Sequence, residues 1–313
     1  MTLQQLRYFL AVAATRHFTR AAELVDVAQP SLSKQIRALE NELGTPLFSR
    51  ARTNIALTQA GEALLPIAKR ILADVDAAKL EVADLVGLRR GRVRLGATPS
   101  LCVSVLADAL RRFHDRYPGI RLVVEEGGSR DLTKALLRGD LDLALIAVPA
   151  GEVGPEPALT TRPVLREDLV VASSATGAWP PKSRSQVRLA TLRGRPMVMF
   201  RRGYDLRETT LRACGEVGFE PRLAVEGGEM DAVLRFVEAN LGVAIVPSMV
   251  LAGRPGLRGT RLSAPGLSRT IALAHRSDVP PTSAARAFQS VLLDFLRSAA
   301  TSGGLPEGVE FTS

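Results

Sequence analysis

FTRAAELVDVAQPSLSKQIRALENELGTPLFSRARTNIALT, residues 18–58, reads as two short helices joined by a tight turn and followed by a basic hairpin. The first helix covers Thr19 to Leu24, with Ala21, Ala22 and Leu24 available to a small core. The second begins at Gln29-Pro30, where proline suits the first helical turn because the amide it lacks would be unpaired there. Along it Leu32, Ile36, Leu39 and Leu43 step by four, three and four, one apolar stripe. Ser31, Ser33, Lys34 and Arg37 lie off the stripe. A helix buried on one side, with hydroxyls and cations on the other, suits the reading helix of a helix-turn-helix that binds DNA. An ordinary amphipathic helix with a solvated face would carry the same pattern.

The hairpin adds weight to the first reading. Gly44-Thr45-Pro46 ends the helix, and Leu47-Phe48 can pin the chain back on the core. Arg50, Arg52, Thr53 and Asn54 then form a polar loop whose guanidiniums would reach phosphates. On these residues, Met1 to Gly61 resembles the winged helix-turn-helix of the LysR-type transcriptional regulators. The matching segments are LQQLRYFLAVA, FTRAAELVDVAQPSLSKQIRALENELGTPLF and LTQAGEAL. The resemblance implies double-stranded DNA as partner, approached by Gln29, Pro30, Ser31, Ser33, Lys34 and Arg37, with Arg50, Arg52 and Thr53 on the wing. The family often has a hydroxyl residue where this chain has Ala28, so one helix cap or phosphate contact is missing.

After the wing, Thr58 can cap a long helix to about Leu88. Its apolar residues Leu64, Ile67, Ile71, Val75, Ala78, Val82 and Leu85 recur every three or four positions. Such a seam fits pairing with another helix or burial inside one chain. Pro66 bends this helix or marks its start. The resemblance implies the linker through which two chains form a homodimer, a further pairing into a homotetramer, and RNA polymerase as another partner. Gly87-Leu88-Arg89-Arg90-Gly91 reads as a hinge.

From Arg92 strands alternate with helices. RVRLGA, IRLVVEE and LDLALIAV read as strands around helices at Leu101–Tyr117 and Asp131–Arg138. DLVVAS, PMVMF, RLAVEGG and GVAIVP follow as strands, with helices at Thr209–Glu216 and Met230–Asn240. The second set repeats the first, which predicts two similar α/β lobes with parallel strands and a cleft. TIALAHR and a helix at Thr282–Ala299 return to the first lobe. The domains expected are therefore a winged helix-turn-helix (1–58), a linker helix (59–88), a two-lobed effector domain (89–300) and a disordered tail, TSGGLPEGVEFTS (301–313).

RVRLGATPSL, EEGGSRDLTKALLRGDLDLALI and GGEMDAVLRFVEANLGVAIVP also resemble the family's effector domain, which is similar to periplasmic solute-binding proteins. The resemblance places a small-molecule effector against Thr98, Pro99, Ser100, Ser129 and Ala147, with Phe200 and Arg201 in the other lobe. Val246 and Pro247 would close the far side. Serine at a helix start is more commonly a simple N-cap. Arg201 with Arg202 points to an organic anion, although arginines before a glycine are equally read as solvated loop residues.

The 313-residue chain carries 41 Lys and Arg against 32 Asp and Glu, a net charge of +9 that favours a polyanionic partner. Only +3 of this falls in residues 1–58, so local patterning carries the DNA argument. No apolar run approaches a membrane span and no signal peptide is evident, so a soluble, cytoplasmic protein without a membrane partner is expected. His17, His114 and His275 have no metal-ligand spacing, and GxSxG, P-loop and helix-opening GxGxxG patterns are missing. No enzyme activity, metal or cofactor is therefore expected. Cys102 and Cys214 are too few to predict a disulfide framework. A redox-responsive regulator using either thiol is the second reading, and a DNA-independent metabolite-binding protein the third.

Overall fold

The computed structural model describes residues 1–51, 54–84, 91–149, 156–181 and 185–312. They divide into two units, one of Met1–Ala83 with Leu137–Asp140 and one of Asp84–Leu136 with Leu141–Ser313. The first unit holds α1 (Leu3–Thr15), α2 (Phe18–Leu24), α3 (Gln29–Leu43), β1 (Phe48–Ala51), β2 (Asn54–Leu57) and α4 (Gln59–Asp84). Leu32, Ile36 and Leu39 of α3 are fully buried with Leu6, Phe9, Val12 and Ala21. Each such side chain contributes roughly 1.5–3 kcal/mol on leaving water. Leu43, expected on the same stripe, is instead exposed because α3 outruns the small core. Gly44 ends the helix at φ +69, a left-handed turn that disfavours any side chain.

Glu40 on α3 accepts bonds from the Leu47 and Phe48 amides at 2.9 and 3.3 Å, which fixes the start of the β1–β2 hairpin. Thr58 does cap α4: its hydroxyl accepts from the Gly61 amide at 3.1 Å and donates to the Pro46 carbonyl at 2.7 Å. The helix continues through Pro66 to Asp84. Ile67 on its seam is exposed, while Leu64 and Ile71 lean on the core. The expected hinge, up to Arg90, and the side chains of Val82 and Leu85 lie outside the described residues.

In the second unit β3 (Gly91–Ala97) runs parallel to both β4 (Ile120–Glu126) and β5 (Leu143–Pro149). The helices between are α5 (Pro99–Cys102), α6 (Leu106–Arg116) and α7 (Ser129–Leu137). The single helix expected at Leu101–Tyr117 is thus broken in two. Ser104 at the break donates its hydroxyl to the Ser100 carbonyl at 2.6 Å, competing with the helix for backbone. The second lobe repeats the layout. β8 (Pro196–Met199) runs parallel to β9 (Arg222–Glu226) and bridges to Val243, beside β10 (Ala244–Pro247), with α8 (Asp205–Glu216) and α9 (Met230–Glu238) between.

One long strand, β6 (Leu159–Ser174), joins the lobes, and DLVVAS is only its second half. β12 (Leu267–Arg276) lies antiparallel between β6 and β5 in the first lobe, while β10 and β11 (Leu257–Leu262) pair with the end of β6 in the second. A short β7 (Gln186–Val187) follows β11. The strands that cross the lobes are therefore antiparallel, and the expected parallel pairing holds only inside each lobe. α10 (Ser283–Thr301) packs on α6 and β3, with Phe288 edge-on to Phe113 at 5.3 Å. The tail is not disordered as expected: β13 (Val309–Phe311) pairs with Leu165–Glu167 of β6, and Val309 is buried. Among the described residues no helix is long and apolar enough to cross a membrane.

Candidate functional site

The outer face of α3 presents Gln29, Pro30, Ser31, Lys34 and Arg37 to solvent, with Ser33 half-buried beside them. Ala28 gives the helix no side-chain cap; Pro30 has no amide to offer, and the Ser31 and Leu32 amides bond the Ala28 carbonyl at 2.9 and 3.2 Å. Lys34 and Arg37 form no ion pair among the described residues. The helix is held from behind by its apolar stripe and by a 3.2 Å bond from Gln5 of α1 to Gln35. A rigid helix with free donors outward has the form required for reading a major groove. Arg52, Thr53 and the side chain of Arg50 lie outside what the structure describes.

The other sequence candidates gather where β6 and β12 cross between the lobes. Thr98, Pro99 and Ser100 are buried after β3, with the two hydroxyls 3.2 Å apart. Arg269 of β12 donates Nη2 to Ser100 Oγ at 2.7 Å and Nε to Glu167 Oε1 of β6 at 2.5 Å. Glu167 is directly opposite it in the strand register. Both partners are almost wholly buried, and burial pushes the Glu167 carboxyl up, opposed by the charge of Arg269. Arg269 Nη1 makes no hydrogen bond among the described residues. Phe200 is buried and stacked on Tyr204 at 4.7 Å between ring centres. Val246 and Pro247 are buried on β10, opposite Val170 and Leu169.

Two expected contacts have other partners. Ser129 donates Oγ to Asp205 Oδ2 at 2.5 Å and its amide to the same oxygen at 3.1 Å, while Oγ accepts from the Ala147 amide at 3.0 Å. It joins the first lobe to the start of α8 in the second, rather than capping a helix for a ligand. Arg201, read as the charged anchor, is ion-paired with Glu229, and Arg202 is a solvated loop residue. The buried guanidinium at Ser100 belongs to Arg269 instead. Sequence reasoning missed Arg269, Glu167, Tyr204 and Asp205. A signal existed for Arg269: Leu267, Arg269, Ile271 and Leu273 alternate with period two, which puts the arginine on the inward face of a strand.

Residues 3–62 match the model of the bacterial regulatory helix-turn-helix protein, lysR family, and residues 87–297 that of the LysR substrate binding domain. The chain belongs to the LysR family. It is 35% identical over 291 residues, 91% of this chain and 90% of the relative, to a probable hydrogen peroxide-inducible genes activator of Streptomyces viridosporus. Among solved structures it is similar to a full-length OxyR variant from Pseudomonas aeruginosa, with TM-score 0.71, 28% identity and 95% of each chain covered. It is also similar to full-length CbnR complexed with its target DNA, with TM-score 0.69, 25% identity, and 96% of this chain and 100% of that one covered. This LysR-type chain is thus a DNA-binding transcriptional regulator with an effector-binding domain.

The peroxide-linked relatives bear on the two thiols of this LysR-type regulator. Burial pushes Cys102 up to about 11, helped by the neighbouring Glu126 carboxylate, and pushes Cys214 up to about 11 as well. At neutral pH such a thiol is ionised to roughly one part in ten thousand, whereas reactive cysteines are held low by cations or helix ends. Neither environment favours a peroxide-reactive thiolate.

Proposed function

We propose that this LysR-type regulator binds operator DNA through the outer face of α3 and the β1–β2 wing, and that a small organic effector held between its two lobes alters that binding. The observation that carries the reading is the buried Ser100–Arg269–Glu167 cluster where β6 and β12 pass between the lobes. Arg269 keeps Nη1 for a carboxylate, so the organic anion expected from sequence is met by Arg269 rather than Arg201. A ligand there touches both lobes, and it shifts function only by preferring one arrangement over another. The exposed Ile67 on the seam of α4 supports a homodimer through that helix, which would set two α3 helices about one DNA turn, or a multiple of it, apart. A homotetramer and contact with RNA polymerase complete the proposed assembly. A winged helix-turn-helix over 1–58, a linker helix over 59–88 and an effector-binding domain over 89–300 form the proposed domain division, supported by the family matches over residues 3–62 and 87–297.

Footprinting on the DNA beside its own gene tests the reading. The wild-type footprint should change when a cognate small carboxylate is added. Ser100→Trp, which crowds the buried contact with Arg269, should give a footprint that no longer responds. An unaltered response in that variant would remove the effector from the cleft.

A further inference from the structure

The polar groups around the Ser100–Arg269–Glu167 cluster are not all of one kind. Three buried side-chain atoms around it have no hydrogen-bond partner among the described residues: Tyr204 Oη, Glu167 Oε2 and Glu229 Oε2. Tyr204 is 3% exposed and Glu167 wholly buried, so water does not readily serve them. Burial pushes the Tyr204 phenol up, with the charges of Glu229, Asp205 and Glu126 adding to it and that of Arg269 opposing it, so the phenol has one cationic and three acidic neighbours. On the acidic side Glu126 ends β4 and Glu229 precedes α9. Burial and the charges of Glu229 and Asp231 raise the Glu126 carboxyl above its ordinary value. Arg201 neutralises Glu229 and Arg254 pairs with Asp231, but Glu126 has no cationic partner among the described residues.

This set excludes two simple ligands. A plain carboxylate has only acceptors, leaves Glu229 Oε2 unserved and is repelled by Glu126. A plain amine leaves the Arg269 Nη1 donor without an acceptor. A molecule with an anionic and a cationic end satisfies both sides at once.

We infer, resting on the cleft reading above, that the effector is a zwitterion of the amino-acid class, its carboxylate received by Arg269 Nη1 and the Tyr204 hydroxyl and its ammonium by Glu126 and Glu229. The Phe200–Tyr204 stack forms the apolar floor against which the side chain of such a ligand lies.

Calorimetry on the full chain, with the protein amino acids as probes, tests the inference. Each binder is compared with its deaminated acid and its decarboxylated amine. At least one amino acid should bind, and both truncated forms should bind at least about tenfold more weakly, the scale of one lost charged hydrogen bond. Glu126→Gln, at an exposed position, should weaken the amino acid about tenfold and leave the deaminated acid unchanged. Failure of every amino acid to bind overturns the inference, as does a deaminated acid that binds as tightly as its parent. Equal weakening of acid and amino acid by Glu126→Gln also overturns it. Ser100→Trp separates the two claims: if it abolishes binding of a deaminated acid that matches its parent, the cleft stands and the zwitterion falls. If it leaves amino-acid binding intact, the cleft itself falls.

Discussion

Replacing Arg269 with Met should destabilise the second unit more than any exposed substitution in it. Arg269 and Glu167 are 6% and 0% exposed, so solvent does not screen the pair. The change removes the Nε donor to Glu167 and the Nη2 donor to Ser100, and leaves a carboxylate in apolar surroundings. Breaking a buried pair from one side costs about 3–5 kcal/mol. With a urea slope of about 2–3 kcal/mol/M, the midpoint should fall by roughly 1–2.5 M. The single tryptophan, Trp179, lies in this unit beside Arg195, so its fluorescence reports unfolding there. Without its partner the Glu167 carboxyl rises further above its ordinary value. A carboxyl raised in the folded state binds its proton more readily folded than unfolded, so stability is gained as pH falls and lost as pH rises through the folded value. The variant should therefore be less impaired at pH 5.5 than at pH 8. Glu167→Leu with Arg269→Met removes both charges and should recover most of the loss. A single variant within about 1 kcal/mol of wild type, or a double variant as weak as the single, would refute the reasoning.

Ser33→Ala and Arg37→Ala should each cost about 1–3 kcal/mol on operator DNA and less on random DNA, read by fluorescence anisotropy; equal losses on both would remove a base-reading role. Ile67→Asp, at the exposed part of the α4 seam, should lower the sedimenting mass toward the monomer, whereas Ile71 also supports the core and is the poorer probe. An unchanged mass would move the dimer contact off this helix. Gly61→Ala should lower the melting temperature, because its Cβ would lie 2.2 Å from the Leu47 carbonyl oxygen, a backbone atom with little room to yield. Overpacking of this kind costs about 1–3 kcal/mol, and full stability would show that the wing moves freely off α4.

What the sequence determined by itself was everything set by local periodicity and turn chemistry. The step of Leu32, Ile36 and Leu39 placed Ser31, Lys34 and Arg37 outward, because a helix face follows from residue spacing alone. The β-α-β-α-β repeat was legible for the same reason, as was the Thr58 cap. Tertiary structure decided what depends on partners far along the chain. Arg269 meets Glu167 across 102 positions through strand register, and Arg201 is taken by Glu229 across 28, so the buried guanidinium beside Ser100 is that of Arg269 and not of Arg201. TSGGLPEGVEFTS has the composition of a tail, yet Val309–Phe311 is ordered by the open edge of β6, an acceptor row no local pattern reveals. Ser129 shows the same limit: its place at a helix start is local, but Asp205, which it binds, lies 76 residues away in the other lobe. Local spacing fixes which way a side chain points from its own backbone, and only the packed chain fixes what it meets there.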